Sequence, residues 1–419
     1  MHLDRRDFLK LSAATALAAL PGCASLSGTA RPRVVVVGAG FGGATCAKYL
    51  RRWGPALDVT LIEPNERFVS CPISNWVLGG LRSMDDITHG YGGLARHGIT
   101  LIRDSVVAID PDTRTLRTAQ GLQIGYERLV LAPGVELLTD SVRGFADAEA
   151  AGRVVHAWKA GAQTALLRRQ LEAMPDGGTF IVSIPAAPYR CPPGPYERAC
   201  LVAHYFKQRK PRSKIIVLDA NPDIVSKKPL FTDAWNTLYP GMIDYRPNSP
   251  ALVVDAAKMT VSTDFEDVRG DVLNIVPRQR AAAVCDLVGA RNDGNKTWCT
   301  VDFATFESTA APGVHIIGDS MASPLPRSGH MATNQAKVCA GAIVDLLADR
   351  APDPAPVIAN TCYSATSDST AGYVAHVYRL VPGKGYVAAP EGGATTTGDA
   401  RNFRYAASWA KNIWAEMLS

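Results

Sequence analysis

The sequence has nine cysteines but no CxxC pair and no CxxCH motif. Without CxxC there is no thioredoxin-type redox pair and no zinc knuckle, and without CxxCH the chain does not attach a c-type haem. The histidines are scattered, so no metal site is predicted. Beyond residue 30 no apolar run is long enough to span a bilayer. The net charge of +5 is small for 419 residues, and no basic block with interleaved aromatics suggests nucleic-acid binding.

Residues 1–30 are predicted to be an export signal. Arg5 and Arg6 form a twin-arginine signature, and a short apolar run follows them. A lipoprotein-like box ends at Cys23, which leaves a lipid anchor open, and cleavage near Ala30 is the alternative. Both alternatives predict a periplasmic protein.

The stretch after the leader has the order of a βαβ dinucleotide-binding unit. A run of four valines, Val34–Val37, predicts a buried parallel strand, and a second strand, Val59–Ile62, ends in Glu63. Between them lies a glycine motif, at Gly38, Gly40 and Gly43. The first glycine allows a tight turn, the second lets a diphosphate approach the backbone, and the third lets helix and strand pack closely. Glu63 is predicted to accept hydrogen bonds from the ribose.

A second Rossmann-like domain is predicted, without the glycine motif. Thr179–Ile184 and Lys214–Asp219 are its expected strands, after an amphipathic helix predicted over His156–Met174. The residues after Ile184 are rich in proline, which lacks the N–H donors that a diphosphate needs. We therefore expect this domain to have lost nicotinamide binding.

A later strand is expected to return the chain to the first domain. It ends in Gly318 and Asp319, a pair that in FAD enzymes of this plan holds the flavin phosphate and ribityl chain. The segment that ends at Asn334 and Gln335 then leads into a long helix running to about Leu347, whose N-terminus is expected to face the flavin. Together with the first glycine motif, these residues predict FAD as the cofactor, and Asn75, Asn334 and Gln335 are expected to be among the residues that bind it.

The predicted fold class is α/β, with two Rossmann-like dinucleotide-binding domains of the FAD/NAD-linked disulfide-reductase type and a C-terminal α+β region. That last region follows a proline-rich linker and ends in an aromatic-rich helix, Phe403–Met417. Its aromatic residues either pack in a core or form a docking face. The predicted domains are 1–30 (signal), 31–145 and 279–350 (the two parts of the FAD domain), 146–278 (the second Rossmann-like domain) and 351–419 (the C-terminal region).

Several motifs together resemble the flavoprotein subunit of flavocytochrome c sulfide dehydrogenase. Besides the glycine motif and the Gly-Asp pair, these are Cys71 with Asn75, the CPPGPYER segment at 191–198, and Cys362 within NTCYS at 360–364. The resemblance covers nearly all of the chain, including the type of leader. It implies an FAD enzyme that oxidises hydrogen sulfide to sulfur or polysulfide.

The resemblance also implies roles for three cysteines. Cys71 matches a residue that carries FAD through a thioether to the 8α carbon; a buried free cysteine is the alternative. Cys191 and Cys362 match a redox-active pair beside the flavin, and a permanent structural disulfide is the alternative. Hydrosulfide would attack one sulfur of the pair, give a persulfide and free the other thiolate. Electrons would leave from FAD to a c-type cytochrome subunit with one or two haems, bound as a heterodimer, and haem c would be present on that subunit only.

Charged residues near these cysteines have more than one interpretation. Glu197 is the candidate acid or base for the sulfur chemistry, although helix capping or compensation of the helix dipole explains it nearly as well. Arg198 and Lys337 could support an anionic sulfide or a reduced flavin, but each is more often a plain surface charge.

Three other functions remain open at this stage. A sulfide:quinone oxidoreductase has the same fold and a similar cysteine pair. An NAD(P)H-dependent disulfide reductase would need a phosphate loop after Ile184 and a local CxxC, and neither is present. An exported flavin-binding electron carrier would not need the two cysteines to react.

Overall fold

A computed structural model describes residues 31–419. The predicted signal, including Cys23, lies outside the described residues. No helix in the described part is long and apolar enough to cross a membrane. Within the same residues, no group of three histidine, cysteine or acidic side chains has the arrangement of a metal site.

The chain alternates strands and helices through most of its length. The strands are β1 (Arg33–Val37), β2 (Asp58–Ile62), β3 (Arg67–Val69), β4 (Thr88–Gly90), β5 (Ile99–Ile102), β6 (Val106–Asp110), β7 (Thr115–Thr118), β8 (Gln123–Gly125), β9 (Arg128–Leu131), β10 (Val135–Leu138), β11 (Thr179–Ile184), β12 (Lys214–Asp219), β13 (Ile243–Arg246), β14 (Val253–Asp255), β15 (Thr260–Ser262), β16 (Asp267–Arg269), β17 (Val272–Ile275), β18 (Arg278–Ala281), β19 (Val314–Ile316), β20 (Val357–Ala365), β21 (Ala371–Val381) and β22 (Gly385–Ala394). The helices are α1 (Phe41–Trp53), α2 (Ser74–Leu78), α3 (Gly92–Ala95), α4 (Phe145–Ala150), α5 (Ala162–Ala173), α6 (Gly194–Arg209), α7 (Lys228–Thr237), α8 (Gly329–Leu346) and α9 (Ala400–Leu418). Short 3-10 turns lie at Asp85–Ile87, Thr139–Ser141, Ala283–Val288 and Gly318–Ser320.

The first sheet is parallel and has the strand order β19-β9-β1-β2-β5. The four valines of β1 are buried at its centre, as a strand covered on both faces requires. Gly38 ends β1 with φ +93°, and a Cβ there would stand 2.6 Å from the carbonyl oxygen of Ala132. A Cβ on Gly43 would lie 1.7 Å from the carbonyl oxygen of Gly38. Only glycine at both positions therefore lets α1 start directly against the sheet.

The second sheet is also parallel and has the strand order β13-β12-β11-β17. Helix α6 packs against β11 and β12, and buried aromatic side chains fill the space between α6 and α7. The chain passes from the first sheet to the second through β10 and returns through β18, and these two strands form an antiparallel pair. The chain leaves the first sheet, builds the second, and returns to add β19 to the first.

The C-terminal region forms an antiparallel sheet, β20-β21-β22, followed by α9. Helix α9 is capped by Asp399, whose side chain accepts a hydrogen bond from the N–H of Asn402. The helix then lies against the first domain. Phe403 stacks on Trp76 with ring centroids 4.5 Å apart, and the indole N–H of Trp414 donates to Ser70 at 2.9 Å.

Two predicted helix boundaries are wrong. Helix α5 begins only at Ala162, because the chain from His156 to Gly161 packs as an irregular segment beneath α6. Helix α8 begins at Gly329 rather than after Gln335, because the hydroxyl of Ser328 caps it by accepting from the N–H of Met331 at 3.1 Å.

Candidate active site

A cavity of about 530 Å³ lies between the first sheet, α6 and the C-terminal sheet. Side chains and backbone from all three parts of the chain line it. Among the lining residues are Gly38, Gly40, Glu63, Cys71, Asn75, Lys159, Arg190, Cys191, Glu197, Gly318, Asp319, Arg327 and Cys362. The cavity therefore collects most of the residues that the sequence singled out.

The glycine motif forms one end of this cavity. At Gly40 the space where a Cβ would stand is open for at least 4 Å, and α1 begins at the next residue. The first N–H groups of α1 have no partner within the helix and carry the positive end of its dipole. Glu63 accepts from the N–H of Ala39 at 2.9 Å, which fixes the loop beside its carboxylate. An open cradle with free donors and a nearby acid fits the diphosphate and ribose of a dinucleotide such as FAD.

The Gly318–Asp319 segment lies on another side of the cavity. Burial raises the pKa of the Asp319 carboxyl, and the guanidinium groups of Arg190 and Arg327 oppose that rise. Arg327 donates to the carbonyl oxygens of Asp319 and Met321 at 3.0 and 2.8 Å, and its guanidinium lies over the ring of Trp298. Sequence reasoning did not single out Arg327, although it stands in the segment that leads to α8.

Asn334 and Gln335 do not line the cavity, in contrast to the prediction. Because α8 starts early, both residues lie inside the helix instead of at its exposed first turn. Asn334 donates to the carbonyl oxygen of His330 at 3.0 Å. Gln335 is buried and accepts from the N–H of Gly318 at 2.8 Å. Gln335 therefore supports the Gly-Asp turn from behind.

Cys71 lies in the turn before α2 and is partly exposed to the cavity. Its sulfur accepts from the N–H of Ala160 at 3.5 Å. Asn75, in α2, also lines the cavity, but its amide is used within the protein. It donates to the carbonyl oxygen of Gly194 at 3.0 Å and to Glu197 at 2.9 Å, and its oxygen accepts from Arg198. Asn75 therefore contacts three residues of α6, and its side-chain amide is used in these contacts.

Cys191 and Cys362 line the same cavity and are present as free thiols. Cys191 precedes α6 in the left-handed region, at φ +58°, and its N–H donates to the carbonyl oxygen of Arg327 at 2.8 Å. Residues other than glycine are uncommon in this region, so we infer that the surrounding contacts keep Cys191 in this conformation. Cys362 lies on β20. Burial raises the pKa of the Cys191 thiol, and negative charge on Cys362 and then Glu197 raises it further.

Glu197 of α6 lines the same cavity as these two cysteines. One carboxylate oxygen accepts from the N–H of Ala365 at 2.8 Å and the other from Asn75 at 2.9 Å. Burial raises the pKa of Glu197, while these two hydrogen bonds oppose the rise. Glu197 does not cap α6, which has no side-chain hydrogen bond at its N-terminal cap, but it lies in the first turn, where compensation of the helix dipole needs an acid. The carboxylate instead faces the cavity and β20.

Lys227 is a charged residue at the site that sequence reasoning missed. Its ammonium donates to the carbonyl oxygen of Cys362 and to the hydroxyl of Ser364, both at 2.8 Å. The same nitrogen lies 3.9 Å from the sulfur of Cys362. No local pattern marks it, since it stands beside Lys228 in an ordinary pair of lysines before α7.

Arg198 and Lys337 are not free surface charges. Arg198 is 2% exposed and donates to Asn75 and Asn274 and to the carbonyl oxygens of His156 and Ala157. Its guanidinium also lies over the ring of Trp158. Lys337 does not line the cavity and pairs with Glu416 of α9 at 2.5 Å. Both residues hold parts of the fold together.

The nucleotide position of the second sheet is filled by the protein itself. Asp219, at the end of β12, stands where an acidic residue would bind a ribose in a Rossmann domain. It is fully buried, and one oxygen accepts from the hydroxyls of Tyr196 and Tyr245 at 2.7 and 3.1 Å. The other oxygen accepts from the backbone and side chain of Asn221 at 2.9 and 2.7 Å. Asp219 thus has no free acceptor for a ribose.

Four family models match the chain. Their descriptions are TAT (twin-arginine translocation) pathway signal sequence at residues 2–22, Pyridine nucleotide-disulphide oxidoreductase at 32–169, Sulfide dehydrogenase (flavocytochrome c) flavoprotein chain, central, at 164–277, and Flavocytochrome c sulphide dehydrogenase, flavin-binding, at 354–418. The first of these supports export to the periplasm by the twin-arginine route.

Relatives and solved structures agree with these matches. The chain is 64% identical over 45 residues to the sulfide dehydrogenase (flavocytochrome c) flavoprotein chain of Chlorobaculum thiosulfatiphilum, which is 11% of this chain and 94% of that sequence. It is 23% identical over 329 residues to the mitochondrial sulfide:quinone oxidoreductase of Mus musculus, which is 73% of this chain and 69% of the relative. Among solved structures, the sulfide:quinone oxidoreductase of Aquifex aeolicus has a TM-score of 0.74 at 20% identity, covering 92% of this chain and 91% of that chain.

The fold and the cavity define an FAD-dependent oxidoreductase with the pyridine nucleotide–disulfide oxidoreductase architecture. Within that class, the chain belongs to the flavocytochrome c sulfide dehydrogenase flavoprotein family. Its class of reaction is the FAD-dependent oxidation of sulfide.

Replacing Arg198 with Met tests whether this guanidinium holds the site together. We expect a loss of unfolding free energy on the order of 3 kcal/mol, because the side-chain oxygens of Asn75 and Asn274 and the carbonyl oxygen of Ala157 lose the guanidinium donor inside the protein. Urea denaturation of the holoenzyme measures it. Arg209→Met, at the exposed end of the same helix, is the control and should change stability by less than about 0.5 kcal/mol. Equal losses for the two variants would contradict this role.

Proposed function

We propose that the protein oxidises sulfide through a redox-active pair formed by Cys191 and Cys362, and that electrons pass through FAD to a c-type cytochrome subunit. The observation that carries the proposal is that both cysteines line the cavity that also contains the dinucleotide glycines. One cysteine comes from the turn before α6 and the other from β20, so only the folded chain brings them to one site.

In the oxidised enzyme the two sulfurs are proposed to form a disulfide, which hydrosulfide opens. Its sulfur bonds to one cysteine, the disulfide bond breaks, and the other cysteine leaves as a thiolate. Lys159 and Arg190 line the cavity and favour an anionic substrate there. Glu197, whose pKa burial raises, is placed to take the proton of hydrogen sulfide. When bound, FAD supplies the acceptor for the two electrons that sulfide releases.

The cavity residues support FAD with a specific assignment of roles. Gly38, Gly40 and the start of α1 would hold its diphosphate, and Glu63 its ribose. Gly318 and Asp319 would hold the phosphate and ribityl side. In this proposal FAD is bound by the first domain, which comprises residues 31–145 and 279–350. Cys191 and Glu197 come from the second domain, residues 146–278, and Cys362 comes from the C-terminal region, residues 351–419.

Replacing either cysteine of the pair tests the route directly. In Cys191→Ser and Cys362→Ser we expect the rate of sulfide-driven flavin bleaching to fall by at least about a hundredfold, because the sulfur that sulfide attacks or displaces is gone. Stopped-flow absorbance measures the rate, and dithionite bleaching should be unchanged. Cys200→Ala, a buried cysteine of α6 outside the cavity, is the matched control. Bleaching at the normal rate in both serine variants would instead favour the flavin-binding electron carrier.

We also propose that Cys71 carries FAD as a thioether. Its sulfur is partly exposed to the cavity, and the turn that holds it packs against the Trp158–Ala160 segment of the second domain. A covalent bond would keep the cofactor on the protein after export in a folded state.

Denaturing the protein in acid separates covalent from non-covalent flavin. We expect the yellow colour to precipitate with the wild-type chain and to stay in the supernatant of Cys71→Ser, because the serine hydroxyl cannot form the thioether. Absorbance of both fractions measures it, and Cys200→Ala is again the control. Flavin released from the wild-type chain would show that the attachment is not covalent.

The proposed partner is a c-type cytochrome bound as a heterodimer, with haem on that subunit alone. A surface cavity of about 680 Å³ beside α9 is lined by His330, Tyr363, Tyr405, Trp409 and Glu416, among others. Tyr363 and Trp409 line this cavity and the main cavity as well. These two aromatic side chains therefore lie between the main cavity and the surface cavity. Such a position suits electron transfer from the flavin to a docked subunit.

Quinone is the second candidate for the electron acceptor. The relative from Mus musculus and the solved structure from Aquifex aeolicus are both named sulfide:quinone oxidoreductases. The cytochrome remains our proposal, because the flavin-binding family model at 354–418 and the relative at 64% identity both come from the flavocytochrome.

Assays with each acceptor distinguish the two candidates. With sulfide as donor, we expect the purified protein to reduce a c-type cytochrome at least about tenfold faster than a soluble ubiquinone analogue, because the C-terminal region is of the flavocytochrome type. Absorbance changes of each acceptor measure the rates, with sulfide omitted as the control. Fast reduction of quinone and none of cytochrome would reverse the assignment.

The mature protein is proposed to act in the periplasm after removal of its signal. Lipidation at Cys23 and cleavage near Ala30 remain the two alternatives for processing. Mass measurement of the exported chain distinguishes them.

A further inference from the structure

Lys227 is a buried lysine at a strained position next to one of the two cysteines. It is 7% exposed and stands immediately before α7 with φ +55°, a left-handed conformation that residues other than glycine rarely adopt. Its ammonium donates to the carbonyl oxygen of Cys362 and the hydroxyl of Ser364. The two hydrogen bonds hold the ammonium beside β20.

The ammonium has neutral hydrogen-bond partners only. Its two acceptors at 2.8 Å, the carbonyl oxygen of Cys362 and the hydroxyl of Ser364, are both uncharged. A buried cation without an anionic partner is costly. The nearby groups that can carry a negative charge are the Cys362 sulfur at 3.9 Å and the Glu197 carboxyl, whose pKa the charge of Lys227 lowers. Only the Cys362 sulfur also lies within reach of a hydrogen bond from the ammonium.

We propose that Lys227 is a positioning residue that makes Cys362, rather than Cys191, the sulfur that carries the negative charge when the pair opens. This inference rests on the proposed function, in which sulfide opens a disulfide between these two cysteines. It assigns the leaving group, which the sequence leaves undecided.

The other charged groups around the two sulfurs do not create the same asymmetry. Glu197 raises the pKa of both thiols, after the larger effect of burial. For Cys362, Lys227 lowers the pKa both through its charge and through its hydrogen bond. The pKa of Cys191 is lowered by the charges of Arg190 and then Lys227, and neither residue donates a hydrogen bond to its sulfur. The guanidinium of Arg190 donates a hydrogen bond to the carbonyl oxygen of Trp158.

The resulting step balances in atoms and charge. Hydrosulfide attacks the sulfur of Cys191, and a new S–S bond forms as the Cys191–Cys362 bond breaks. The electron pair of the broken bond moves to Cys362 as its thiolate, beside the ammonium of Lys227. Cys191 then carries the persulfide with the proton that hydrosulfide brought. One negative charge enters and one remains.

The pH dependence of thiol alkylation tests the assignment without using sulfide. In the reduced holoenzyme, the rate of Cys362 alkylation by iodoacetamide is measured against pH by peptide mass spectrometry. In Lys227→Met we expect the midpoint to rise by about one pH unit, which is about tenfold in rate at a fixed pH below both midpoints. Lys227→Arg should restore most of the wild-type profile, because it keeps the charge.

Lys228→Met is the matched control, since Lys228 is the next residue, is exposed and pairs with Asp223 at 2.6 Å. Its profile should equal that of the wild type. Flavin content and thermal unfolding check that each variant is folded. A Lys227→Met profile equal to that of the wild type overturns the inference, and the proposed function then still stands if sulfide bleaches the flavin.

A second measurement needs no variant and remains informative if Lys227→Met does not fold. The wild-type oxidised enzyme is mixed with one equivalent of sulfide, quenched with iodoacetamide and digested. The inference predicts the alkylated persulfide on Cys191 and the alkylated thiol on Cys362. A persulfide on Cys362 overturns the inference alone, and a persulfide on neither cysteine overturns the proposed function together with it.

Discussion

The carboxylate of Glu197 is hydrogen-bonded by two other parts of the chain, and the geometry of the site depends on these bonds. Asn75 of the first domain holds one oxygen, and the N–H of Ala365 in the C-terminal sheet holds the other. Cys191 stands in the turn before the helix that carries Glu197, and Cys362 is three residues before Ala365 on the same strand. Fixing helix α6 against strand β20 therefore brings the two cysteines to one cavity. A carboxylate is suited to this task because its bonds to N–H groups are charge-assisted and strong.

The same constraint sets the electrostatics of the cavity. Burial is the largest cause that raises the pKa of Glu197, Asp319 and both cysteines, so the site disfavours negative charge on these groups. The positive charges of Arg190, Lys227 and Arg327 oppose this effect, and of these Arg190 and Arg327 line the cavity. Such an arrangement can accept hydrosulfide and hold a thiolate without exposing either to water. It also explains why Arg198 is buried, since its contacts keep Asn75 beside Glu197.

The parts of the fold that follow from local patterns were predicted well. The valines of β1, the glycines after it and the strand ending in Glu63 are consecutive in the sequence, so their βαβ arrangement needs no distant contact. The second sheet was also predicted, because β11 and β12 are continuous apolar runs. Errors came where a single polar residue decided a boundary. The cap at Ser328 starts helix α8 early and turns Gln335 away from the cavity.

The residues that complete the site could not be predicted, because their partners are distant in sequence. Lys227 contacts a strand 135 residues further along the chain, and nothing near it distinguishes it from a surface lysine. For the same reason the sequence left open whether Arg198 supports sulfide or the flavin or is a plain surface charge, and it did not indicate that this residue is buried. The family resemblance identified the cysteines, but the hydrogen bonds that position them belong to the tertiary structure alone.

The central claim is that Cys191 and Cys362 form a pair that sulfide opens. Non-reducing peptide mapping of the native, oxidised protein tests it most directly. The account predicts one peptide pair that joins these two cysteines and that disappears when sulfide is added, while the flavin is reduced. Two separate free thiols in the oxidised protein, or a cross-link that sulfide leaves intact, would contradict it.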